Sequence, residues 1–150
     1  MRERKIQMED VAELIEERLA NGHAVTFFPS GISMLPFLKE GRDSVTLTRP
    51  PQTLKKYDLP LYRRSNGQYV LHRIVRVGDT YTCIGDNQYV FETGVRQDQL
   101  IAVVTSVYRG NREVSVDSLG YKLYCRFWHY SRSVRRVYLA CKRRLRRLIK

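Results

Sequence analysis

The stretch Tyr69-Val70-Leu71-His72-Arg73-Ile74-Val75-Arg76-Val77 carries the strongest strand signal in the chain. Its alternation sets Val70, His72, Ile74 and Arg76 on one side and Tyr69, Leu71, Arg73, Val75 and Val77 on the other, the period of two that a pleated strand imposes. Asn66-Gly67 just ahead of it is a hairpin signal. Working outward, residues 25–28, 44–48, 59–63, 81–84, 100–108 and 113–116 read as further short strands, separated by Gly, Asn and Asp turns. That pattern predicts a mainly β chain, a coiled antiparallel sheet or partial barrel. A short helix precedes it. Met8, Val11, Leu14, Ile15 and Leu19 share one face, with Glu13, Glu16 and Glu17 opposite and Arg18 leaning to the apolar side. Asn21-Gly22 is a helix stop. The last 30 residues read as one helix of roughly 45 Å, in which Leu123, Phe127, Tyr130, Val134, Val137, Cys141, Leu145 and Leu148 step by four and three.

With 150 residues and 43% hydrophobic content, the chain can bury one core and is too short for two ordinary domains. The expected division is a β-rich domain over residues 1–117 and a basic helix over 118–150. The net charge of +12 is not spread evenly. Residues 121–150 hold 11 Lys or Arg and no acid, so residues 1–120, with 16 basic and 15 acidic side chains, carry +1. A basic pI that describes one segment is weak ground for a nucleic-acid binder. Three cysteines without metal-like spacing give neither a disulfide framework nor a zinc site. Cys125 and Cys141, about 24 Å apart on one helix, could not pair, which fits a reducing compartment. No stretch approaches the roughly 18 apolar residues of a membrane span, and the charged start has no apolar run behind it. The expectation is a cytoplasmic protein, peripheral at most on the inner face of a membrane.

Three segments carry possible chemistry. In Gly31-Ile32-Ser33-Met34-Leu35-Pro36, a serine follows a strand and a glycine, in a turn whose backbone N–H groups can face a substrate oxygen. Such a serine needs a base to become a nucleophile. His72, inside a strand, has the ordinary pKa for that task. Taken alone, an ordinary turn serine and a satisfied core histidine are the commoner explanations. His23 and His129 are poorer candidates. Gly85-Asp86-Asn87, followed by Glu92, offers a carboxylate to fix the imidazole, or an ordinary turn.

Gly-x-Ser-Met-x-Pro, then His-Arg-Ile, then Gly-Asp-Asn, in this order, resembles the signature of type I signal peptidases and of the superfamily they share with LexA-type self-cleaving repressors. The resemblance covers about residues 25–104. A histidine opening the His72-Arg73 pair, where many relatives have lysine, is similar to the endoplasmic-reticulum, archaeal and sporulation-type enzymes. The resemblance implies a serine endopeptidase fold with Ser33 as nucleophile, His72 as base, the Ser33 N–H and the Gly31 turn as oxyanion hole, and Met34, Pro36, Arg73, Gly85 and Asn87 as motif support. It implies no cofactor and no metal. Asp86 matches the motif aspartate. Glu92 stands six residues on, where the histidine-base enzymes have a catalytic aspartate. Both are candidates for the third residue, Asp86 ahead of the longer Glu92. The substrate would be a signal-like or leader peptide with small residues near the cut, bound as an extended strand. A non-catalytic peptide-binding or membrane-recruitment module is the competing reading. A self-cleaving repressor is the third and least favoured reading, for the missing lysine, the missing Ala-Gly cleavage pair and the expected lack of room for a DNA-binding domain.

The chain departs from the family in lacking a transmembrane anchor and in two Gly-Asp positions, which here read Gly41-Arg42-Asp43 and Tyr57-Asp58. The tail's apolar stripe and basic face suit a helix lying on anionic lipid, with Phe127, Trp128, Arg135, Arg136, Arg143 and Arg147 as contacts. Packing on the domain is the second reading of the tail, and nucleic acid the weakest. Activity is expected to fall at low pH as His72 protonates, a flat rate from pH 5 to 8 counting against it.

Overall fold

The computed structural model describes residues 8–148, with side chains from Val11; the charged start at residues 1–7 and the face position Met8 lie outside the described backbone and side chains respectively. Helix α1 (Met8–Ala20) forms as its periodicity predicts. Ala12, Ile15 and Leu19 are buried, whereas Leu14 faces water. Arg18 is exposed. The helix ends where Gly22 takes φ +79°, letting the His23 N–H reach back to the Arg18 carbonyl at 3.0 Å, a closure that glycine accepts without a Cβ penalty.

Among the described residues nine strands follow: β1 (Val25–Phe27), β2 (Asp43–Thr48), β3 (Pro60–Arg63), β4 (Tyr69–Leu71), β5 (Arg73–Val77), β6 (Tyr81–Ile84), β7 (Glu92–Val95), β8 (Leu100–Arg109) and β9 (Arg112–Ser115). They form two antiparallel sheets. One runs β1-β2-β8-β3-β4 with β9 also on β8, and the other β5-β6-β7. No closed barrel forms among the described residues. The alternation predicts a single strand over 69–77, but the chain leaves one sheet after Leu71 and enters the other at Arg73. Leu71, His72, Arg73, Ile74 and Val75 are therefore all buried in succession, unlike a strand with one face in water, where burial alternates. Strand β7 is the element the sequence does not announce.

Two apolar clusters result. The larger packs α1 against one face of the first sheet through Ile15, Leu19, Val45, Leu47, Leu61 and Val104, and the smaller unites the two sheets through Tyr62, Ile74, Tyr81, Cys83, Val95 and Val103. Long strand β8 serves both, Ala102 and Val104 on one face and Val103 on the other. Each buried aliphatic side chain contributes roughly 1.5–3 kcal/mol.

The C-terminal segment is two helices, not one. α2 (Leu119–Tyr130) starts on a Ser118 cap and α3 (Arg132–Leu148) follows Ser131. Nor is the segment separate from the β domain: Tyr121 and Cys125 belong to the larger core. The domain-facing side of α2 carries Tyr121, Tyr124, Cys125 and Trp128, while the stripe of Leu123, Phe127 and Tyr130 stays exposed. Two of the expected lipid contacts are thereby corrected. Trp128 donates its indole N–H to the Asp86 carbonyl at 2.8 Å, and Arg135 lies over the Trp128 ring at 3.5 Å. Trp128 is committed to the domain, and Arg135 to the end of α2 through Trp128 and Ser131. Phe127, Arg136, Arg143 and Arg147 remain exposed. All three cysteines are free, Cys83 and Cys125 buried and Cys141 exposed. No helix among the described residues is long and apolar enough to cross a membrane.

Candidate active site

Ser33 sits in the turn that follows β1, half-buried. Met34, Phe37 and Leu38 behind it are in the core and anchor the turn; Pro36, after a cis peptide bond, faces water. The Gly85-Asp86-Asn87 turn folds onto the backbone of this segment. The Asn87 N–H donates to the Ser33 carbonyl at 2.9 Å and the Asn87 amide to the Ile32 carbonyl at 3.1 Å. Gly85 approaches so closely that a Cβ there would stand 2.5 Å from the Ser33 oxygen. The Ser33 N–H has no hydrogen-bond partner among the described residues. The Gly31 N–H has one: it donates to Glu40 Oε2 at 2.9 Å, which removes it from the expected oxyanion hole. Gly85→Ala is expected to displace the serine turn and lower cleavage at least about tenfold, since a shift of 1 Å near the reacting atoms has effects on the order of 100-fold. The check is kcat/KM beside the near-ultraviolet circular dichroism of the folded variant.

His72 is the single residue between β4 and β5 and is only 3% exposed. Its Nδ1 lies 3.4 Å from the Tyr62 hydroxyl, which donates to Glu92 Oε2 at 2.7 Å. Arg64 holds both Glu92 oxygens at 2.8 Å. A phenol has one proton, and here the carboxylate takes it, so the Tyr62 oxygen accepts from Nδ1–H. That fixes the tautomer and leaves Nε2 with its lone pair, free of any hydrogen bond among the described residues. Ser33 and His72 line the same cavity, of about 460 Å³, with Phe27, Met34, Leu61 and Leu71 on its walls.

Burial, reinforced by the Arg64 charge, pushes His72 from its ordinary 6.5 down to about 4. The ring is neutral at every pH above that, and any activity that used His72 as a base would fall off nearer pH 4 than 6.5, lower than the sequence leads one to expect. Stability follows the same group. As pH falls from 6.5 to about 4, the unfolded chain binds the proton first. About 3 kcal/mol of stability present above 6.5 is lost across that window. Thermal midpoints at pH 7 and 4.5 measure it; an activity inflection near 6.5 would show a ring open to water.

The two candidate acids have separate places. Asp86, fully buried, is paired with Arg73, whose Nε and Nη2 each donate to it at 2.8 Å. Tyr124 donates to the same carboxylate at 2.9 Å. Arg73 also reaches the Tyr121 hydroxyl at 2.6 Å. Asp86 is thus the bolt between α2 and the serine turn. Glu92, the first residue of β7, is the carboxylate beside His72, 3.9 Å from Nδ1 and joined to it through Tyr62. Hydrogen bonds from Arg64 hold it below the usual carboxylate range. Cys83 is no rival nucleophile, because burial pushes its thiol up to about 12.

The altered Gly-Asp positions keep their aspartates at work. Asp43 is buried against Arg42 and the Lys39 N–H, and Asp58 accepts the Lys55 N–H at 2.7 Å. Tyr57 takes φ +78°, a conformation costing a side chain roughly 1–2 kcal/mol, while its carbonyl accepts the Tyr121 hydroxyl at 2.8 Å. Tyr62, Arg64, Tyr124 and Trp128 are the site-building residues that motif reading does not pick out; the lone tryptophan of the chain is the only one with a compositional signal. No family model, curated protein or solved structure matches the chain.

Proposed function

We propose that this chain is a serine endopeptidase of the signal-peptidase/LexA type, in its histidine-base branch, cutting signal-like or leader peptides. The observation that carries the reading is the convergence of Ser33 and His72, 39 residues apart, on one cavity, with the third motif clasping the serine backbone. His72 Nε2 takes the Ser33 proton and Oγ attacks the scissile carbonyl. The Ser33 N–H donates to the resulting oxyanion, an interaction of about 3 kcal/mol. The imidazolium, steadied through Tyr62 by Glu92, gives its proton to the leaving amine as the C–N bond breaks. Water then attacks the acyl-enzyme, with His72 again taking and returning the proton. The substrate lies extended in the cavity with small residues before the cut. Nucleophile and base are not hydrogen bonded in the free protein, and such contacts tighten when substrate binds.

The test is cleavage of a mixture of extended peptides with small residues at alternate positions, wild type beside Ser33→Ala, with anionic vesicles present. Products from wild type alone support the peptidase. A silent peptide-binding module is the second reading, favoured by the unmade Ser33–His72 bond and the 3.9 Å gap between His72 and Glu92. Tyr62→Phe separates the two. In a peptidase it breaks the link to Glu92 and lowers kcat on the order of 10- to 100-fold, the effect of about 1–3 kcal/mol, with KM nearly unchanged. In a silent module it leaves peptide affinity, measured by calorimetry, as the only readout.

A further inference from the structure

Helix α2 has two apolar sides, roughly back to back. One is spent on the domain, through Tyr121, Tyr124, Cys125 and Trp128. The other has no partner among the described residues, and the stripe continues on α3: Phe127, Val134, Val137, Leu145 and Leu148 are 70%, 71%, 63%, 58% and 80% exposed. At 100° per residue, the α3 part of this ridge fills an arc of about 80°, bounded by Lys142 and Arg144. Helix α3 carries eight Lys or Arg and no acid. A second copy is a poor occupant, because pairing two ridges would set eight positive charges beside eight more with no carboxylate between them. A nucleic acid would match the charge and leave the ridge in water.

A second observation points to a phosphate. Arg132, at the start of α3, is 7% exposed, and its Nε has no hydrogen-bond partner. No carboxylate among the described residues lies within ion-pair distance of it. The acid whose charge reaches it, Asp86, is already paired with Arg73, and the direct partners of Arg132 are aromatic: Nη1 lies 3.3 Å from His129 Nδ1 and the guanidinium lies over the Phe91 ring at 5.7 Å. Arg132 opens on a cavity of about 270 Å³ that Arg136 and Ser133 also line. A buried cation without a counter-ion is costly, and a phosphodiester in this cavity would neutralise it while the ridge enters the acyl boundary.

We propose that α2 and α3 dock the protein on an anionic lipid surface, the ridge inserted between headgroups and one lipid phosphate held by Arg132 and Arg136. This stands independently of the peptidase reading. Phe91 belongs to the loop leading to Glu92, so the docked face lies next to the candidate active site.

Co-sedimentation of the full chain with vesicles tests it. The vesicles are phosphatidylcholine alone, or with about 30% phosphatidylglycerol, enough to set a strong surface potential. Wild type should pellet with the anionic vesicles and stay in solution with the neutral ones. The double variant Val137→Asp, Leu145→Asp should bind about tenfold or more weakly, with an unchanged thermal midpoint because both positions face water. Arg136→Gln should cost about fivefold. Three results would each overturn the proposal: wild type remaining in the supernatant with anionic vesicles, undiminished binding of the double Asp variant, or a lipid-free dimer that the double Asp variant dissolves.

Discussion

Ser33→Ala, His72→Ala and the variant carrying both should lose peptide cleavage by the same factor, about 10⁴ or more in kcat. Groups that act as one proton-transfer unit do not contribute additively, so removing the second after the first changes little. The residual rate over water would come from the Ser33 N–H and from binding alone. The single variants separate chemistry from folding in different ways. The Ser33 side chain makes no hydrogen bond among the described residues, and its removal should leave stability within about 0.5 kcal/mol. His72 is buried with a depressed pKa near 4. Its loss should therefore also remove most of the acid-driven destabilisation between pH 6.5 and 4, although trimming the ring leaves a cavity that lowers stability at all pH values. Equal losses in all three variants, together with that change in the pH dependence of the thermal midpoint, identify one Ser–His unit in a dry site. Additive partial losses would mean that the two side chains act separately, and would sink the mechanism.

Much of this was legible in the chain because short strands advertise themselves by alternation. Val45 and Leu47 of β2, both fully buried between half-buried neighbours, are the plain case. The sheet crossover was not legible. A period of two runs unbroken through His72, and nothing local says that the residues before and after it belong to different sheets. Strand β7 begins Glu92-Thr93-Gly94 and is mostly solvent-facing, so it lacks the apolar signal altogether. The break at Ser131 was hidden because its backbone stays near helical, with φ −75° and ψ −6°. At the site, motif order picked out Ser33 and His72 as candidates, but which carboxylate stands beside the imidazole needed geometry. Two carboxylates six residues apart look equivalent until Arg73 is seen to occupy one of them. Tyr62 reads as one more strand aromatic in 59–63. Only the pairing of β3 with β4 and the turn into β5 set its hydroxyl between His72 and Glu92.

Asp86→Ala should be the most damaging substitution for the fold, at about 3–5 kcal/mol, because it strands a charge. Arg73 is 2% exposed, and without Asp86 two of its guanidinium nitrogens lose their acceptors in a site that water does not reach. Breaking a buried pair from one side costs that much, whereas replacing both partners by apolar residues is close to neutral. Arg73→Met with Asp86→Leu should therefore recover a large part of the loss, and the double-mutant cycle should show strong coupling. For a chain of this size the single variant's midpoint should fall by on the order of 10 °C. The lone Trp128 offers a local reading of the same event. Its indole N–H is tied to the Asp86 carbonyl at 2.8 Å and its ring stacks on Tyr124, whose hydroxyl also holds the Asp86 carboxylate. Releasing α2 should expose the indole and shift its emission to the red, with faster hydrogen exchange along α2. A lowered midpoint without that shift would place the loss in the sheet core. A red shift with a wild-type midpoint would mean that α2 is held by Asp86 but adds nothing to global stability. The structure predicts both together, since the same carboxylate joins Arg73 of β5 to Tyr124 of α2 and carries the turn that sets Ser33.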